Sequence, residues 1–291
     1  MVAQVRRFNR AVTARAGALN QRFLGRDLSL GEARVLWEVG DEGLDIRALR
    51  ARLQLDSGYL SRLLRSLETA GLLELSPSPD DRRVRRARLT RKGRRERALL
   101  DSRSDEVAES ILAPLDQAKR GRLVDAMREV ERLLLAAEIE IKLADPASEV
   151  ARYCIDAYFA ELSERSGGEL DPATRTAAQP HELVPPAGAM LVAFLHGEPV
   201  GCGAVKHHPG APTEIKRMWV DGSARGLGLG RRLLTELEAL ARASRATAAR
   251  LETNKTLVEA IAMYRSAGYV EVPAFNDEPF AHHWFEKPLV T

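Results

Sequence analysis

The sequence predicts an α+β chain of two domains: residues 1–145, mainly helical with one β-hairpin, and residues 146–291, with strands and helices mixed around one central sheet. Three observations carry this. Apolar residues recur at helical spacing through most of the first half. Short apolar runs bounded by Gly and Pro take over from about residue 188, and a small polar segment, ADPASE at 144–149, stands between the two regimes. With 291 residues, 45% apolar and 29% charged, the chain can build two cores.

In chain order, Val5, Phe8, Val12, Ala16, Leu19 and Phe23 predict a first long helix, and Leu123, Met127, Val130, Leu134, Ala137 and Ile141 a last one with a coiled-coil-like seam. Between them SLGEARVLWEVG, DIRALRARL and DSGYLSRLLRSLETAG read as shorter helices, the third capped by Asp56 and stopped at Gly71. LLELSPSPDDRRVRRARLT reads as two strands joined by a Pro/Asp turn. Beyond the polar segment come a helix from Glu149 to about Ser163 and a Gly/Pro-rich loop through Gly188. Three strands (AMLVAFLHG, EPVGCGAVKHH, TEIKRMWV), a helix from Gly228 to about Ala243, the strand ARLETN, a helix from Thr256 to Ala267 and two terminal segments complete the pattern.

Residues 1–145 carry 29 Lys and Arg against 23 Asp and Glu, the remainder 15 against 18, so the basic excess belongs to the first half. Neither an apolar run of signal-peptide type at the N-terminus nor a stretch near the ~20 apolar residues that span a bilayer is seen, which predicts a cytoplasmic protein with no membrane partner. Cys154 and Cys202 stand in apolar surroundings and read as buried thiols of a reducing compartment. The pairs His207-His208 and His282-His283 lack a carboxylate cluster, and neighbouring strand residues point to opposite faces, so no metal is expected.

In DSGYLSRLLRSLETAG, Leu60, Leu63, Leu64 and Leu67 share one face, leaving Ser57, Gly58, Ser61, Arg62 and Arg65 on or beside the other. A helix of this kind suits a major groove, where Arg pairs with guanine and Ser with phosphate or base. Ten of the sixteen residues Arg82–Arg97 are basic, Arg83 and Arg85 among them, more than solubility requires and fitting phosphate contact. Asp81, Arg83, Leu89, Thr90 and Gly93 resemble the wing signature of the MarR family of winged-helix regulators. Over about residues 1–143 that resemblance implies a homodimer joined through its first and last helices, on a double-stranded DNA operator, with Arg83 in the minor groove. A seam packing only within its own chain has the same pattern.

ARGLGLGRRLL, Ala224–Leu234, follows a strand and opens a helix. Such a turn lets backbone N–H groups and the helix dipole meet an anion, most naturally a phosphate. Its spacing departs from both G-x-G-x-x-G, since Arg231 stands at the last position, and the P-loop, which needs a terminal Gly-Lys-Ser/Thr. Arg225-x-x-Gly228-x-Gly230 is similar to the acetyl-CoA turn of the GNAT N-acetyltransferase superfamily, and LETNKTLVEAIAMYRSAGY resembles its second cofactor motif.

The resemblance implies an acetyl-CoA-dependent N-acetyltransferase over about Glu149–Lys287. The pyrophosphate would lie on Arg225, Gly226, Leu227, Gly228, Leu229, Gly230 and Arg231, and the pantetheine on the strand Met218, Trp219, Val220 and near Asn254. Tyr264 would protonate the departing thiolate, and Glu214 would be the base that readies the acceptor amine. The aromatic tail, with Phe275 and Phe280, is either sheet packing or a wall of the acceptor pocket. Together the halves predict a DNA-binding regulator that is also an acetyltransferase. The alternative is a repressor that senses acetyl-CoA and transfers nothing.

Overall fold

The computed structural model describes residues 1–17, 22–77, 84–167 and 178–289. The chain divides into two compact units, Met1–Arg128 and Glu129–Thr291.

In the first unit α1 (Val2–Arg15) has no buried residue and shows Val5, Phe8 and Val12 to solvent. The expected continuation of this helix to Phe23 is corrected. Gly17 takes a positive φ of 65°, and Phe23 lies in a short 3-10 turn, buried edge-to-face on Trp37 at 6.0 Å. Leu19 lies outside the described residues. Ser29 and Glu32 form a capping box that starts α2 (Leu30–Val39). After the two-residue β1 (Leu44–Asp45) come α3 (Ile46–Leu53) and α4 (Ser57–Thr69), whose cap is Asp56 Oδ1 accepting from the Tyr59 N–H at 2.8 Å. Leu60, Leu63, Leu64 and Leu67 are buried, as their spacing requires.

The hairpin consists of β2 (Leu73–Pro77) and β3 (Arg85–Leu89), with β1 on the other side of β3. Its turn, with Asp81 and Arg83, lies outside the described residues. At its base Leu89 is buried, and the Thr90 hydroxyl donates to the Gly71 carbonyl at 2.7 Å while accepting from the Gly93 N–H at 3.0 Å. Thr90 thereby caps α5 (Arg91–Leu112), and a Cβ on Gly93 would collide with the Leu72 carbonyl oxygen. The Leu-Thr-x-x-Gly spacing is thus a folding requirement of the corner where strand becomes helix.

α6 (Gln117–Glu138) follows, and the division between the units falls within it. The expected helix ran on to Ile141 and the expected boundary lay at 144–149. Instead the chain leaves the helix at Glu138, and β4 (Glu140–Leu143) pairs antiparallel with β5 (Gly188–Leu195), Ile141 opposite Ala193. These residues therefore belong to the sheet of the second unit.

That sheet has seven strands in the order β4-β5-β6-β7-β8-β10-β9, with β6 Glu198–Lys206, β7 Thr213–Val220, β8 Ala248–Thr253, β9 Val270–Val272 and β10 His283–Pro288. All neighbours are antiparallel except β7 and β8. Both faces are covered. On β5, Ala189, Leu191 and Ala193 enter one core with α8 (Leu229–Ala243) and α9 (Val258–Ser266), whereas Met190 and Val192 enter another with α7 (Glu149–Arg165). Cys154 and Cys202 are buried free thiols in the second of these cores. Among the described residues no helix is long and apolar enough to cross a membrane.

Thr90→Ala is expected to lower the stability of the first unit by about 1 kcal/mol, and Gly93→Ala by about 2–3 kcal/mol. Chemical denaturation followed by circular dichroism reads both.

Candidate functional site

β7 and β8 pair only at Thr213↔Ala249 and Glu214↔Arg250, and no pairing follows. On its other edge β7 carries one residue more than β6 between the pairs Ala204↔Lys216 and Cys202↔Trp219. Arg217, within this bulge, holds a φ of 56°, rare for a residue with a Cβ. Beyond the bulge Met218–Val220 runs with its β8-side edge open, a place where an amide-bearing chain can add itself as a strand.

The strand leads through Gly222–Ala224 into the glycine turn. Gly226 and Gly228 have φ of 76° and 77°, so both need glycine for conformation. Gly230 is in a tight spot, since a Cβ there would stand 3.1 Å from Met263 Sδ of α9, which would have to shift by a few tenths of an ångström. Gly228 is the N-cap of α8, no side chain caps this end, and its first turn carries no acidic residue. The N–H groups and dipole of a 15-residue helix are presented to the cleft.

The turn and the open edge face each other across a cavity of about 490 Å³. Met218, Trp219, Val220, Arg225, Gly226, Gly228–Arg231 and Tyr264 line it. Leu227 is not in this wall: its side chain packs on the core beneath. Four arginines reach the cleft. Arg132 donates to the Gly226 carbonyl at 2.9 Å and Arg231 to Ser266, while Arg225 and Arg165 pair with Glu161 of α7 at 2.5 and 2.9 Å. The Trp219 indole N–H also donates to Glu161, at 3.1 Å, so one carboxylate braces strand, turn and helix together.

Tyr264 is buried between Tyr269 and Phe285, at ring distances of 6.0 and 6.2 Å. Burial, then the nearby Tyr158 and Glu252, push its phenol above the usual range, so it stays protonated at neutral pH.

A second cavity, about 80 Å³, adjoins the first, and Tyr158 and Leu162 line both. Glu252, Glu278, Lys216, Arg217 and Phe280 are in its wall. Asn254, expected near the pantetheine, lines this cavity and not the large cleft. Its amide is engaged locally, Nδ2 donating to the Phe280 carbonyl at 2.9 Å and Oδ1 accepting from the Thr256 N–H and hydroxyl at 3.0 and 2.9 Å. Phe275 stacks under the Arg250 guanidinium at 4.3 Å, outside the wall. Among the described residues no group of three or more His, Cys, Asp or Glu is arranged to hold a metal ion.

In the first unit Ser57, Gly58, Ser61, Arg62 and Arg65 form the exposed face of α4, and Arg85 is exposed on β3. Part of the basic run has structural work instead. Arg86 donates to the Glu42 and Gly43 carbonyls, Lys92 to that of Ala70, Arg94 to that of Leu89, and Arg97 pairs with Asp41 at 2.6 Å.

A family model described as Acetyltransferase (GNAT) family matches residues 155–269, and one described as MarR family matches residues 26–84. An IAA acetyltransferase of Azospirillum brasilense is 38% identical over 145 residues, 48% of this chain and 86% of that protein. The chain belongs to the GNAT acetyltransferase family. Within its N-terminal half, residues 26–84 are similar to the MarR family. Among solved structures, a GNAT-family acetyltransferase of Staphylococcus aureus is 16% identical over 52% of this chain and 99% of its own, with a TM-score of 0.46. A MarR-family transcriptional regulator of Rhodococcus sp. RHA1 is 23% identical over 42% and 87%, with a TM-score of 0.37. The GNAT unit is an acetyl-CoA-dependent N-acetyltransferase.

Within the GNAT unit Glu214, the expected base, is in the wall of neither cavity and touches the small one only through Lys216. It is buried, with Arg250 donating to it at 2.7 Å and Lys216 and His208 within 3.4 and 3.3 Å. Burial pushes its carboxyl up, but the charge of Lys216, the Arg250 hydrogen bond and the charge of His208 together hold it below the ordinary range. A carboxylate so stabilised is a weak proton acceptor. The residues that sequence reasoning missed are Tyr158, Glu161 and Arg165 of α7, together with Glu252. The first three recur at helical spacing, a signal that was available, whereas only strand pairing reveals Glu252.

Because the Glu214 carboxyl is depressed in the fold, its stabilising effect is complete above the ordinary glutamate value and is lost as pH falls through its lower folded value. Glu214→Gln should therefore lower the midpoint of thermal unfolding at pH 7 and narrow its difference from wild type as the buffer is taken towards pH 3.

Proposed function

We propose that the chain is a DNA-binding transcriptional regulator that also moves an acetyl group from acetyl-CoA to an amine. The observation that carries the enzymatic part is the cleft between the open edge of β7 and the uncapped start of α8, with cations from Arg132, Arg165, Arg225 and Arg231 around it. The donor supplies a thioester carbonyl open to attack by an amine. N–H groups of residues 225–231, Leu227 among them, hold its pyrophosphate, and Met218–Val220 pairs with its amides as an added strand. A backbone N–H in this strand faces the oxyanion as it develops, and Tyr264 gives a proton to the leaving sulfur.

For the first unit, Arg62 and Arg65 enter a major groove with Ser57, Gly58 and Ser61 beside them, and Arg85 and the wing meet phosphate. Arg83 belongs to the same reading but lies outside the described residues. Exposed Val5, Phe8, Val12, Met127 and Leu134 on α1 and α6 support a homodimer joined through these helices on a two-fold operator.

Calorimetric titration of acetyl-CoA is expected to give binding that is lost when Gly228 and Gly230 are both replaced by Val. Retention of binding in a folded double variant would remove the cleft from the reading. Tyr264→Phe should lower kcat by about 10²-fold with acetyl-CoA affinity kept. DNA affinity should fall steeply with salt, and Arg65→Ala should flatten the log–log slope by about 1 when the contact is to phosphate.

A further inference from the structure

The small cavity beside the acetyl-CoA cleft carries two half-buried charges that the protein matches only in part. Glu252 Oε1 accepts from Lys216 Nζ at 2.6 Å, but Oε2 is buried and takes no hydrogen bond among the described residues. Its side chain is only 11% exposed. Arg217 donates to the Ala178 carbonyl at 2.6 Å and enters no ion pair among the described residues, and burial holds its guanidinium below the usual range. A buried carboxylate oxygen short of a donor carries an uncompensated desolvation cost, and the half-buried guanidinium beside it is a cation with no anion of its own. A ligand with a cation at one end and an anion at the other relieves both.

We infer that this cavity takes the acetyl acceptor as a small zwitterion, an amine that also bears a carboxylate, with its ammonium on Glu252 Oε2 and its carboxylate on Arg217. The inference rests on acetyl transfer in the adjoining cleft. Charge balance favours this guest over a simple amine. The wall holds two cations, Lys216 and Arg217, against two anions, Glu252 and Glu278, and only a net-neutral ligand preserves that balance in a low-dielectric space. Its volume, about 80 Å³, suits the amino-acid end of a molecule. Tyr158 and Leu162, shared by both cavities, place that end beside the cleft where the thioester is presented.

Glu252 then has the role of base that was expected of Glu214. It takes one proton from the ammonium, and the freed nitrogen attacks the acetyl carbonyl carbon. The C–N bond forms and the C–S bond breaks. Tyr264 protonates the sulfur, and the second proton lost from nitrogen as the amide forms restores its hydroxyl. The proton on Glu252 passes to solvent, so ammonium and thioester yield amide, thiol and one proton.

The test measures thiol release by the full chain with acetyl-CoA and paired acceptors, α-amino acids against the same amines lacking the carboxylate. The expected result is a kcat/KM at least tenfold higher for the carboxylated member of a pair. Arg217→Gln should abolish that preference through KM, and Glu252→Gln should lower kcat about 10²-fold. Both variants should bind acetyl-CoA like wild type, which establishes that they are folded. Equal use of both members, a preference that survives Arg217→Gln, or undiminished kcat in Glu252→Gln overturns the inference. So does acetyl-CoA binding with no carboxylated amine turned over, an outcome that leaves the cofactor cleft intact. Absence of acetyl-CoA binding by wild type would instead remove the reading on which it rests.

Discussion

The second unit depends on a strand pair that is allowed to fail. Among the described residues β7 and β8 are the only parallel neighbours in their sheet, and they share two residue pairs before separating. Had the ladder continued, the backbone of Met218–Val220 would be satisfied internally and the wedge between the strands would be filled by core. The bulge at Arg217 re-aims β7 just where the pairing stops, and the positive φ this imposes is a local cost borne by a residue with a side chain. The surrounding sheet, buried on both faces from β5 to β7, is rigid enough to hold that strained conformation. The cleft, the orientation of the glycine turn and the juxtaposition of the two cavities all follow from this separation.

A second economy of design lies in the glycines. Gly226 and Gly228 are required by backbone conformation, and a Cβ at either would meet nothing within 4 Å. Gly93 is required by the Leu72 carbonyl, and Gly230 is crowded by the side chain of Met263. Two motifs that look alike on paper, each a spaced set of small residues at the start of a helix, therefore answer to different physics. The one before α8 presents backbone to a ligand, and the one before α5 closes a corner of the fold.

Much of this was legible in the sequence because it is local. Helix caps at Asp56, the apolar stripe of Leu60 to Leu67, the period-two strands and the glycine spacing all act within a few residues of themselves. The failures are non-local or occur where two periods coincide. Ala137 and Ile141 are four apart and so extend a helical seam on paper, although Ile139 and Ile141 already alternate as a strand. Glu214 looked like an accessible strand carboxylate because Arg250, its partner, lies across a sheet register that no single stretch encodes. Glu252 and Arg217 were silent for the same reason. Phe23 was assigned to a helix by spacing alone, and tertiary packing on Trp37 prevailed.

Tyr158 and Leu162 belong to the walls of both cavities, so neither ligand meets a surface independent of the other. Any adjustment of these two side chains by the first ligand to arrive changes the shape offered to the second. Thermodynamic linkage makes that influence mutual: the factor by which donor alters acceptor affinity equals the factor by which acceptor alters donor affinity. The α7 face that carries them is therefore a coupling element as well as a wall. Apparent Michaelis constants for one substrate belong to a stated concentration of the other.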